Sequence, residues 1–170
     1  MPPCPHLPRP DTVLDYRLLS AHEDRRDARF YGDALRYGQH LWLHGHAGRA
    51  ILAVTRALYA DVPPHEPVLQ EWPLPYAALR WIVAHHPRDE FPGNPRVSFQ
   101  HQATRLRGPR QEQRRARAWA VWALIREVRP QLPGDPSQNL IEPDLETIAE
   151  GLTRHGHRGE ERLWRTVLQG

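Results

Sequence analysis

Lysine is absent from the chain, so all 23 basic side chains are arginine, set against 20 acids and 11 histidines for a net charge of +3. This is a mild basic excess, with the histidines held back as latent charge. For solubility the two cations are equivalent, but only arginine stacks well and pairs in bidentate fashion. Cysteine occurs once, as Cys4, which excludes a disulfide framework and a cysteine-based zinc site and fits a reducing, cytoplasmic setting. No stretch approaches the roughly 20 apolar residues of a membrane-spanning helix, and the opening MPPCPHLPRP has no apolar run resembling a signal sequence. Alternation of β-branched residues is almost missing, which argues against strands. The sequence also has no nucleophile elbow, phosphate-binding glycine loop or ordered Ser, His and Asp set. No catalytic residue and no cofactor is therefore assigned.

Proline, by contrast, is plentiful at 18 residues, enough to divide helical sequence into short pieces. A length of 170 residues suits one domain. Residues 1 to 10 hold five prolines and are expected to form a disordered or extended leader. A short helix can follow Asp11, and Ser20 with Glu23 makes a capping box for a helix running to His44. Gly45 should stop it, and a second helix should span about Ala47 to Ala60 before Pro63, Pro64 and Pro67. Further helices are expected from Pro73 or Pro75 to His86, from Asn94 to Arg107 and from about Arg110 to Val128. The Arg110 to Val128 helix, with Trp119, Val121, Trp122, Leu124 and Ile125, reads as the central core helix. After the loop QLPGDPSQN, Pro143 opens a helix to about Arg154, and a last one lies between Gly159 and Leu168 as a cap.

Within Tyr31 to Pro63, small residues recur at Gly38, Gly45, Ala50 and Ala57, between bulkier Leu35, Leu41, Ile51, Val54 and Leu58. Two helices in close contact require such spacing. With Asp61, this pattern resembles one tetratricopeptide repeat, although Ala34 stands where that family favours tryptophan and the closing proline arrives late. The resemblance implies an all-α single domain over residues 11 to 170, a right-handed array of about three stacked antiparallel helical hairpins with C-terminal capping helices. It also implies a protein- or peptide-binding scaffold. The family's groove positions fall on Gly32, Leu35, Gln39, Trp42 and Leu43, with Trp42 expected to project toward a partner. Leu35 and Gln39 leave no charged clamp for a C-terminal carboxylate, so an apolar or aromatic-bearing segment is the expected partner.

Two other readings compete. The run RLRGPRQEQRRAR places Arg105, Arg107, Arg110, Arg114, Arg115 and Arg117 around a helix start, where an RNA phosphate could be held. Glu112 interrupts it, only Phe99 and Trp119 are near enough to stack on bases, and a solvated helix face is the plainer alternative. His40 and His44, four apart with His46 beyond the turn, could meet one metal ion in a His-dependent metal protein or enzyme. They lack the glutamate and the third ligand of a zinc helix, and so do the pairs His85 with His86 and His155 with His157. No metal ligand is assigned.

Overall fold

The computed structural model describes residues 1–10, 28–58, 73–86, 109–130, 142–155 and 159–170. The expected helices after Asp11 and from Asn94 to Arg107, the Ser20 capping box, and Arg105 and Arg107 lie outside the described residues. Six helices are described: α1 Ala28–Leu43, α2 Ala47–Ala57, α3 Pro73–His85, α4 Pro109–Val128, α5 Leu145–His155 and α6 Glu160–Gln169. Among the described residues there is no strand, and no helix is long and apolar enough to cross a membrane.

The α1–α2 hairpin follows from its small residues. Gly45, at φ +80°, terminates α1. Its N–H donates to Trp42 O, and the N–H of His46 to Leu41 O, the paired closing bonds of a helix that ends in a left-handed residue. The chain thus reverses within two residues. A Cβ added to Gly38 would lie 2.5 Å from Val54 Cγ2 and 3.7 Å from Ala50 O. Gly38, Ala50 and Val54 therefore mark the closest approach of α1 and α2, as the pattern of small residues led one to expect.

Successive helices pack in order, α2 on α3, α3 on α4, α4 on α5 and α5 on α6, and α6 returns to touch both α3 and α4. Every residue of α4 from Ala116 to Ile125 is buried. A helix buried on all sides has to run through the middle of a bundle, and α4 is indeed the central helix. Its C-terminal neighbour Arg129 donates to Val83 O and His86 O, satisfying carbonyls that the end of α3 leaves open. α5 begins at Leu145, two residues later than the proline suggested. Asp144 is the cap, and Pro143 lies before it rather than at the first helical position: Asp144 Oδ1 accepts the N–H of Thr147 at 2.7 Å, a bond that holds its carboxyl below the usual range. Gly159, also at φ +80°, precedes α6, whose Trp164 is buried and donates from Nε1 to Ala120 O of α4.

Candidate functional site

The leader does not lie apart from the helices. Cys4 and Leu7 are buried in the same apolar core as α1 and α2, and the N–H of Leu7 donates to Cys4 O. What holds this segment is a set of side chains reading its main chain. Gln39 of α1 accepts the N–H of Cys4 on Oε1 at 3.1 Å and donates from Nε2 to Cys4 O at 3.0 Å. Its amide therefore satisfies both polar atoms of one leader residue, as a neighbouring β-strand would. One turn on, Trp42 donates from Nε1 to Pro2 O at 2.6 Å. Neither contact depends on the leader's side chains.

These bonds lie in a dry place. Gln39 and Trp42 are 1% and 0% exposed. Trp42 meets Trp81 of α3 edge to face, with ring centres 5.4 Å apart, and Trp81 in turn stacks on His85 at 4.0 Å. Burial also governs Cys4: desolvation pushes its thiol up to about 11, against the opposing pull of the backbone at His6 and Leu7. A thiol so held is a poor nucleophile at neutral pH.

Of the expected groove positions, Gln39 and Trp42 contact the chain's own leader, which turns between Cys4 and Leu7. Trp42, expected to project toward a partner, is enclosed here by the leader and by Trp81. Leu35 is buried in the core, while Leu43 and Gly32 are half-buried.

The arginine run divides in the structure. Arg117 is withdrawn into the core, where Nε and Nη2 each lie 3.0 Å from a carboxylate oxygen of Glu160 and Nη1 donates to Leu58 O at 2.6 Å. Tyr76 donates its hydroxyl to the same carboxylate. Arg117 is thus removed from any RNA-facing surface. Arg115 remains on the surface, 3.9 Å from Glu112, and Arg114 is half-buried with an interaction of its own. The Arg110 side chain lies outside the described residues.

His40 and His44 do come together, with ring centres 4.4 Å apart, and Tyr37 stacks beside His40. Burial, helped by the charges of His44 and His46, lowers the pKa of His40. Among the described residues no group of three His, Cys, Asp or Glu side chains could hold a metal ion.

A second concave feature was not anticipated. Between α4 and α5 two adjoining cavities of about 460 and 300 Å³ share Trp119, Pro143 and Ile148 as walls. Trp122 lines the smaller one. The sequence presents both tryptophans as core filler, and only their i, i+3 spacing beside a helix rich in acids hinted at a common wall.

No family model, curated protein or solved structure matches the chain. Its function rests on its own geometry.

Proposed function

We propose that the protein is a non-catalytic helical scaffold that holds a short proline-containing peptide along α1, on the tetratricopeptide-like hairpin that its sequence resembles. In this structure the place is filled by residues 1–10. The observation that carries the reading is the paired hydrogen bonding of Gln39 to the N–H and C=O of Cys4, continued by Trp42 to Pro2 O. Side chains that bind main-chain atoms accept segments of many sequences, and proline restricts the free segment's backbone so that less entropy is lost when it is held. Apolar positions then add affinity, as Leu7 does from within the leader. The reading is of a peptide or protein partner, without membrane or cofactor.

A covalently attached leader has an effective concentration in the millimolar range and outcompetes a free peptide. The test therefore weakens the leader without touching its seat. A fluorescent peptide of sequence MPPCPHLPRP is titrated into the full chain carrying Cys4→Ala and Leu7→Ala, and anisotropy is followed. Saturable one-to-one binding, reduced by adding Trp42→Phe to remove the indole donor, is the expected result. Absence of binding by a double variant that keeps its helical circular dichroism would overturn the proposal.

A further inference from the structure

We infer that the seat on α1 selects a four-residue turn whose first residue is small and apolar, whose second is proline and whose fourth is leucine, as Cys4, Pro5 and Leu7 are in the leader. The inference rests on the reading of α1 as a peptide seat and names the peptide that fits it.

The turn is closed by its own main chain. The N–H of Leu7 donates to Cys4 O at 3.2 Å, and Gln39 Nε2 donates to the same oxygen at 3.0 Å, so both lone pairs of that carbonyl are used. The bond from Leu7 thus fixes the direction in which the chain leaves Gln39. Pro5 occupies the second place, where a φ held near about −65° is the one such a turn needs. Its ring is exposed, so its contribution is conformational and not a contact.

The two ends of the turn carry the side-chain contacts. Of residues 1–10 only Cys4 and Leu7 are buried, at 1% and 7% exposed, and both belong to the core shared with α1 and α2. Pro2, Pro3, Pro8 and Arg9 are exposed. The first place has to be small, because a close-packed interior has no room for added carbons. It also has to carry an N–H, since Gln39 is buried and its Oε1 would otherwise lose its donor. Cys4 meets both demands, and burial keeps its thiol neutral, so that it acts as a small apolar group. Proline is excluded from the first and fourth places, each of which donates an N–H. Selectivity therefore lies in two apolar anchors and the spacing between them, while the exposed positions are free to vary.

Two assays test this. In the first, fluorescent peptides copying residues 1–10 are titrated into the full chain carrying Cys4→Ala and Leu7→Ala. A Leu7→Ala peptide should bind roughly tenfold more weakly than the parent peptide, as the loss of a buried leucine implies. Peptides with Cys4→Phe, with Cys4→Pro, or with a glycine inserted between Pro5 and His6 should bind as poorly, whereas Arg9→Ala should bind like the parent. In the second, Leu7→Ala, the glycine insertion and Arg9→Ala are each placed in the attached leader of the otherwise unaltered chain. The first two should speed the reaction of the Cys4 thiol with a disulfide reagent by roughly tenfold, and Arg9→Ala should not. Parent-like binding by all the altered peptides overturns the inference and leaves the peptide seat standing. If no peptide binds, the seat for partners falls and the thiol rates decide: rates equal to that of Arg9→Ala overturn the turn requirement, and faster ones uphold it.

Discussion

Arg117 and Glu160 stand 43 positions apart in the chain and meet as an ion pair closed to solvent, with side chains 1% and 0% exposed. The pair ties α4 to α6, and through Leu58 O and the Tyr76 hydroxyl it also ties in the end of α2 and α3.

Removing one partner leaves the other charge buried alone. Arg117→Ala or Glu160→Ala is expected to cost roughly 3 to 5 kcal/mol, whereas replacing both at once by Met and Leu should cost far less, because desolvation offsets much of the pair's attraction. Urea unfolding of the two single variants and the double variant checks this. A double variant as unstable as either single one would contradict it.

Gly38→Ala sets two effects against each other. Alanine gains about 1 kcal/mol of helix propensity over glycine, but its Cβ would lie 2.5 Å from the stiff β-branched Val54. The clash should prevail, with a net loss of about 1 to 3 kcal/mol. Adding Val54→Ala should make Gly38→Ala much less harmful, which a double-mutant cycle by thermal melting would measure.

Trp42→Ala should both destabilise the fold and release the leader. Loss of a fully buried tryptophan costs roughly 3 to 5 kcal/mol, and Pro2 O loses its donor. Because Cys4 is the sole thiol and is protected by burial, its rate of reaction with a disulfide reagent reports leader release directly. Trp42→Phe should keep most of the stability yet raise that rate. An unchanged rate in both variants would count against the role given to the indole.

Acid should weaken the protein through His40. Its pKa is lowered in the folded chain by burial and then by the charges of His44 and His46. As pH falls below about 6.5, the unfolded chain takes up a proton at this position before the folded chain does. Stability therefore declines from there down to the folded pKa, and above that window His40 is neutral in both states. Between pH 7.5 and 5 the His40→Gln variant should lose less stability than the parent. Equal losses would remove His40 as a cause.

Much of the helical layout could be read from residue types, since Gly45 and the small residues opposite Gly38 specify a close hairpin, and the apolar second half of α4 specifies a central helix. Pro143 misled by two places, because both a proline at the first helical position and a capping aspartate just after a proline are ordinary starts. Arg117 was hidden by its arginine-rich neighbours, yet it sits four and seven residues before Val121 and Leu124 and thus in phase with the buried stripe. The leader's docking was not legible, because Gln39 and Trp42 recognise its carbonyls and N–H, which every sequence possesses. Nor could the α4–α5 cleft be read in advance: on a helix buried all round, periodicity does not say which tryptophan borders empty space.

The leader's bonds to Gln39 and Trp42 cross 35 and 40 positions of the chain, and none of them belongs to a helix. Detaching it breaks no helical turn. Residues 1–10 therefore form an opening unit smaller than the whole fold, able to come away at a lower free energy than global unfolding. In hydrogen exchange the amide of Cys4 should trade its proton sooner than those of Val121 and Leu124 in mid-α4, and the molecule should cycle between a sealed and an unsealed form while its helices stay intact.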